Sequence, residues 1–160
     1  FFDPELNQSY VPYVIETSVG LDRMFLAILS AAYQEEQLPD GSERVVLKIP
    51  AVLAPYKAAI LPLIKKDGLP EKAREIMADL QLEYSLQYDE KDSIGKRYRR
   101  QDAIGTPYSI TVDHQTLEDN TVTIRDRDTM EQQRVSLSEL EQILAKKVSW
   151  KSVLSALRLQ

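Results

Sequence analysis

Short apolar runs alternate with charge along the whole chain, and the spacing of the apolar positions divides it into two blocks. In the first, residues 10–17 are rich in β-branched and aromatic side chains and predict a strand, broken at Pro12. Gly20 follows, and then Leu21, Met24, Phe25, Ile28, Leu29 and Ala32 fall on one face of a helix. A helix this apolar needs a large surface to bury against, so residues 1–35 read as the remnant of a bigger domain. Residues 34–43 mix acids and glutamines with Pro39 and Gly41. They predict a solvated linker, placed at 36–44, before a second domain over 45–160.

The second block alternates strand and helix signals. Residues 45–49 are a candidate strand, and 58–64 form the continuous apolar run of a strand covered on both faces. Asp67-Gly68-Leu69-Pro70 turns the chain and sets Pro70 at the start of a helix carrying Ala73, Ile76, Met77, Leu80 and Tyr84. A short strand at 86–88 completes a βαβ unit. A polar helix over 93–104 follows, then strand-like stretches at 108–112, 121–126 and 134–137, with turns at Asp119-Asn120 and Asp128-Thr129. Ser136 and Glu139 have the spacing of a capping box. They open a closing helix whose stripe is Leu137, Leu140, Ile143, Leu144 and Val148, and one further short helix spans 150–157. The predicted fold is a three-layer α/β domain with a mixed, roughly five-stranded sheet flanked by helices, preceded by the strand–helix unit.

Hydrophobic residues make up 43% of the chain, enough for a packed core, and no apolar run is long enough for a transmembrane helix. The chain opens Phe1-Phe2-Asp3-Pro4, without an initiator Met or a basic-then-apolar leader, and reads as entered partway. It has no cysteine and a single histidine, His114, which excludes thiol nucleophiles, disulfides and Cys/His zinc sites. No metal site is expected, and His114, read in a loop, is given no function. With a formal net charge of −5, any nucleic-acid site has to be a local basic patch.

Four features carry candidate chemistry. Arg23 sits in the first turn of the apolar helix, where the positive end of the helix dipole disfavours a cation. A bound phosphate would turn that repulsion into a joint grip by backbone N–H groups and guanidinium; a salt bridge to Asp22 or to a carboxylate elsewhere is the plainer explanation. Glu16 and Ser18 share a face of the predicted strand and could hold a small ammonium group, or simply decorate the surface. Lys96-Arg97-Tyr98-Arg99-Arg100 fans four cations over about 160° of a helix. That suits a polyanion, or a solvated face paired with Asp92 and Asp102. In a strand, Arg125 and Arg127 would line a polar face with Thr121 and Thr123, fit for phosphates and base edges or for a cross-strand ion-pair ladder.

These residues resemble a known family. Tyr10-Val11-Pro12-Tyr13-Val14-Ile15-Glu16-Thr17-Ser18-Val19-Gly20-Leu21-Asp22-Arg23 is similar to the third signature of class II aminoacyl-tRNA synthetases, in its glycyl form. Lys57-Ala58-Ala59-Ile60-Leu61-Pro62-Leu63 resembles the opening strand of that family's anticodon-binding domain. Ser93-Ile94-Gly95-Lys96-Arg97-Tyr98-Arg99-Arg100-Gln101-Asp102 and Thr123-Ile124-Arg125-Asp126-Arg127-Asp128-Thr129-Met130-Glu131-Gln132 are near-verbatim family stretches. Four such stretches in the right order, reaching to about Lys147, are a specific match to glycyl-tRNA synthetases.

The resemblance implies a full-length ligase that activates glycine with ATP and Mg2+ and passes the glycyl group to the 3′ end of glycine tRNA. It implies Arg23 as the arginine that grips ATP phosphates, and Glu16 and Ser18 as the lining of the glycine pocket. Thr17 stands where the family often has proline. The first two class II signatures are missing, so the fragment alone is expected to be inactive, to hold no cofactor and to be monomeric. The parent is expected to be homodimeric and cytoplasmic. The second domain is expected to bind the two cytosines of glycine anticodons, with Arg97, Arg99, Arg100, Arg125 and Arg127 as candidate contacts and some of these serving the fold. The alternative is a non-catalytic nucleic-acid-binding module resembling a DNA polymerase accessory subunit.

Overall fold

The computed structural model describes residues 1–157. A small ribbon, β1 (Phe2–Asp3) with β2 (Gln8–Ser9), opens the chain. Residues 10–20 then run without regular structure, so the strand predicted over 10–17 does not form. Pro12 lacks a donor, and among the described residues no strand pairs with this segment. β propensity without a neighbour to pack against stabilises nothing. Helix α1 (Leu21–Ala32) does form, with the first half of its apolar stripe uncovered: Leu21 and Phe25 are 83% and 62% exposed, while Ile28 packs beside buried Ala32 at the other end.

The stretch predicted as a linker is a β-hairpin. β3 (Tyr33–Gln37) follows α1 without a break and pairs antiparallel with β4 (Glu43–Leu47). Gly41 takes a positive φ of 79° in the turn, and the Asp40 carboxylate accepts from the Ser42 N–H. Tyr33-Gln34-Glu35-Glu36-Gln37 has no apolar alternation that would announce a strand. Tertiary contact specifies it instead, because alternate residues of β4, Arg44 and Val46, are buried.

From residue 58 onward the predicted alternation holds. β5 (Ala58–Pro62), α2 (Leu69–Leu80) and β6 (Leu86–Tyr88) make the βαβ unit, with β5 and β6 parallel. α3 (Ile94–Ile104) crosses to β7 (Tyr108–Val112), which lies parallel to β5 on its other side. A short helix, α4 (His114–Asp119), forms where only loop and turn were expected, with Asp113 and Thr116 as its capping box. β8 (Thr121–Asp126) and β9 (Gln132–Ser136) add antiparallel strands, so the sheet order is β6-β5-β7-β8-β9. α5 (Leu137–Val148), opened by the Ser136–Glu139 box, and α6 (Trp150–Leu157) follow.

Strand alternation separates two unlike faces. Ile60, Ile110, Val122 and Ile124 share a core with Ala73 and Ile76 of α2 and with Leu140 and Leu144 of α5. Ser109, Thr111 and Arg125 occupy the intervening strand positions, and α3 covers them: Tyr98 Oη lies 2.7 Å from Thr111 Oγ1. The sheet is therefore apolar toward α2 and α5 and polar toward α3. Among the described residues no helix is long and apolar enough to cross a membrane.

Candidate nucleic-acid interface

On the α3 face, charge first holds the fold together. Asp102 is fully buried and accepts from Arg125 Nη1 and Nη2 at 2.8 and 3.1 Å, and from Arg44 Nη1 at 3.1 Å. The Arg125 guanidinium also lies 4.8 Å from the centre of the Tyr98 ring. Arg127, buried just after β8, donates to the Gly105 carbonyl at 2.8 Å and pairs with Asp128. The face that Arg125 was expected to offer to RNA is thus roofed by α3. Its acid partner comes from that helix and not from a neighbouring strand. A guanidinium in such a place has to be paired, because burying an isolated charge costs far more than a hydrogen bond returns.

The basic run on α3 divides by direction. Arg97 is 2% exposed and donates to three carbonyls, those of Pro62 at 2.5 Å, Leu63 at 3.0 Å and Asp89 at 3.3 Å. Burial pushes its pKa down. Arg97 therefore ties the loop after β5 to the loop after β6. Arg100 completes the second loop by binding Asp89, Asp92 and the carbonyl of Lys91. Arg99 turns the other way, toward Ser42 of the hairpin turn at 3.3 Å. Lys96, in the first turn of α3, is exposed and has no ion-pair partner among the described residues.

What these arginines organise is the carboxyl edge of the parallel strands. β6 lies to one side of β5 and β7 to the other, so this edge is a topological switch point, the place where open α/β sheets bind ligands. α2 and α3 both begin here, and neither has a side-chain cap at its N-terminus. At α3 the first N–H groups lie at the positive end of the helix dipole without a side-chain cap, whereas at α2 the Leu69 N–H donates to the Lys66 carbonyl at 3.2 Å and Pro70 has none. Lys65 and Lys66 in the loop after β5, and Lys91 in the loop after β6, are exposed and unpaired among the described residues. The acids of the same loops are already engaged: Asp67 with His114, Asp89 and Asp92 with Arg100, Glu90 with Arg74. Hydrogen bonding from Arg100, and behind it the charges of Lys96 and Lys91, hold the Asp92 carboxyl below its ordinary range. On a chain of net charge −5, this edge carries four exposed lysine ammoniums with no hydrogen bond or ion pair among the described residues: Lys65, Lys66, Lys91 and Lys96.

Sequence reasoning found Lys96 but passed over Lys65, Lys66 and Lys91. The signal was present: a Lys-Lys pair directly after a continuous apolar run and before Asp67-Gly68 places both at the carboxyl end of a buried strand. A concavity of about 800 Å³ opens at the opposite, amino end of the strands, walled by Lys57, Tyr84, Lys146 and Trp150. Lys57 Nζ is committed there to the carbonyls of Val52 and Ala54, both at 2.8 Å, and burial lowers its pKa.

Glu16, Ser18 and Arg23 are all exposed. With no strand over 10–17, Glu16 and Ser18 do not share a strand face. Among the described residues none of the three side chains has a hydrogen-bond or ion-pair partner, so Arg23 is not tied to Asp22. The Arg23 stem folds back over the uncapped N-terminus of α1, 3.9 Å from where a Cβ on Gly20 would sit.

A βαβ unit extended by an antiparallel hairpin, with lysines at its carboxyl edge, defines an α/β domain with a mixed five-stranded sheet. Residues 57–147, more than half of the chain, match the anticodon binding domain model, and the chain belongs to that family. It is 53% identical over 150 residues to a glycine–tRNA ligase of Clostridium tetani, an alignment covering 94% of this chain and 32% of that protein. With a glycine–tRNA ligase of Clostridium beijerinckii it shares 57% identity over 141 residues, 88% of this chain and 30% of that one. The chain thus spans about a third of the length of these curated relatives. Among solved structures it is similar to the RNA binding domain of threonyl-tRNA synthetase from Cryptosporidium parvum Iowa II. That match has a TM-score of 0.57 and 23% identity, over 63% of this chain and 26% of that one; at this identity it supports the fold alone.

Proposed function

We propose that this chain binds the anticodon of glycine tRNA, and that it does so at the carboxyl edge of its parallel strands, as part of a glycine–tRNA ligase. The observation that carries the reading is the set of four unpartnered lysines between two uncapped helix N-termini. Phosphates of a single-stranded loop would meet Lys65, Lys66, Lys91 and Lys96, while backbone N–H groups at the start of α3 offer donors to phosphate oxygens. Splayed bases could then be read on their edges, as single-stranded RNA allows. Arg97 and Arg100 act from behind by fixing the two loops, and Arg99 lies at the hairpin side of the same helix.

In the whole ligase, glycine and ATP would be joined before transfer to tRNA. There Arg23, unpaired at the N-terminus of α1, would grip a phosphate oxygen, with Glu16 and Ser18 lining the glycine pocket and Mg2+ arriving with the nucleotide. The 160 residues alone would not activate glycine and would be monomeric, with dimerisation and a cytoplasmic location belonging to the parent.

The test is binding to a glycine tRNA anticodon stem-loop across a salt series, for the wild type and for Lys65→Glu/Lys66→Glu. The double variant is expected to lose at least about tenfold in affinity and to flatten the log–log salt slope by about 1.4, the value for two single-strand phosphate contacts. Unchanged affinity and slope would remove RNA from this edge. Equal binding of a stem-loop whose anticodon cytosines are replaced would remove anticodon reading.

A further inference from the structure

We infer that the β3–β4 hairpin is a rigid strut, and that Arg44 is the positioning residue fixing α1 relative to the five-stranded sheet. The acidic, Pro- and Gly-containing composition of residues 34–43 marks the place where a chain would be expected to hinge. Three separate contacts oppose a hinge there. The Arg44 side chain, 1% exposed, joins three parts of the chain: Glu36 on β3 at 2.6 Å, Asp102 on α3 at 3.1 Å, and the carbonyl of Arg127 after β8 at 2.8 Å. With Asp102 equally buried, water cannot easily replace these bonds if the hairpin swings away. Beyond β4 the backbone packs directly on the end of α3. A Cβ on Gly105 would lie 2.8 Å from Ile49 Cγ2 and 3.1 Å from the Leu47 carbonyl. At the other end, the Lys48 N–H donates to the Ala32 carbonyl at 2.7 Å, over an apolar knot of Ile28, Ala32, Leu47, Ile49 and Ala54. Helix, hairpin and sheet move as one body.

The charges are arranged so that Arg44 can be removed on its own. Asp102 keeps its two-pronged bond from Arg125, and Glu36 keeps Lys48 at 2.5 Å. Loss of the guanidinium orphans the Arg127 carbonyl and no buried carboxylate, so the sheet stays folded while the strut loses its tie. In a ligase, a consequence that rests on the RNA reading, the strut would hold the Arg23 end of α1 at a set distance from the RNA-binding edge.

The absence of cysteine allows spin labels to be placed at will. A27C/E118C spans α1 and α4, and E118C/Q133C lies within the sheet domain; all three positions are exposed. Pulsed dipolar distances are expected to be narrow for both pairs in the otherwise unchanged chain. Arg44→Met should broaden the first distribution at least twofold and leave the second unchanged. A first pair already broad before the substitution overturns the strut; one equally narrow after it overturns the positioning role of Arg44. Broadening of both pairs also overturns it, since Arg44 would then serve the whole fold. The Arg44→Met chain should bind the anticodon stem-loop with unchanged affinity, because Lys65, Lys66, Lys91 and Lys96 make no contact with Arg44. Failure of RNA binding in both proteins would count against the RNA reading alone and leave the distance result standing.

Discussion

Replacing Asp102 by Asn keeps the side-chain volume and removes one buried negative charge between two guanidiniums. Arg125 would retain only the Tyr98 ring and a weakened acceptor; Arg44 would retain Glu36 and the Arg127 carbonyl. Breaking a buried pair by neutralising one partner costs about 3–5 kcal/mol, because the remaining charge stays desolvated. Against a total stability of roughly 5–15 kcal/mol that is a large fraction. For a domain of this size it lowers the melting temperature by roughly 6–20 °C. Arg100→Ala is the comparison. Its guanidinium is 41% exposed and its acids sit in surface loops, where solvent screens the pairs, so the loss should be much the smaller of the two. Thermal melts followed by circular dichroism at neutral pH separate the two cases. Replacing Arg44, Asp102 and Arg125 together by Met, Leu and Met should recover much of the loss, since no charge is then left buried. The reasoning fails if Asp102→Asn melts no lower than Arg100→Ala.

Two further outcomes follow from single sites. Gly105 combines a φ of 82° with the close approach of Ile49, so Gly105→Ala should cost about 2–4 kcal/mol in urea unfolding. Gly41→Ala, at φ 79° with nothing within 4 Å, should cost only about 1–2 kcal/mol, and equal losses would refute the close approach. Hydrogen bonds from Lys48 and then Arg44 hold the Glu36 carboxyl low, and a hydrogen bond from Arg134 does the same to Asp113. Both folded values therefore lie below unfolded ones of about 4.3 and 3.9. The unfolded chain takes up protons first, so this stability is complete above about pH 5 and is lost as pH falls through 4 toward the folded values. Glu36→Gln/Asp113→Asn should flatten the acid limb of stability against pH; an unchanged limb would contradict the assignment.

The sheet domain was legible because its signals agree with one another. A continuous apolar run at 58–64, Asp67-Gly68 and Pro70 before a helix stripe, and the Ser136–Glu139 box each specify an element locally, and tertiary packing supports the same answer. The hairpin was only half legible: the strand expected at 45–49 overlaps β4, but β3 has no apolar alternation and β4 turns a charged residue inward. Arg44 obeys a buried partner, Asp102, that lies 58 residues away in the chain. Residues 10–17 failed in the opposite direction: strong β propensity, but no strand beside them among the described residues. The site was half legible. A basic run on a polar helix announces positive charge, but spacing alone cannot tell that Arg97 points into the body and Lys96 out of it. Arginines near a suspected RNA surface default to contacts in a sequence reading, and three of the five candidates, Arg97, Arg125 and Arg127, are buried.

Chemical-shift mapping of the 15N-labelled chain with a glycine tRNA anticodon stem-loop tests the central claim most directly. The account predicts the largest perturbations in the loops after β5 and β6 and in the first turns of α2 and α3, around Lys65, Lys66, Lys91 and Lys96. Perturbations gathered instead around Lys57, Lys146 and Trp150, at the amino end of the strands, would contradict it.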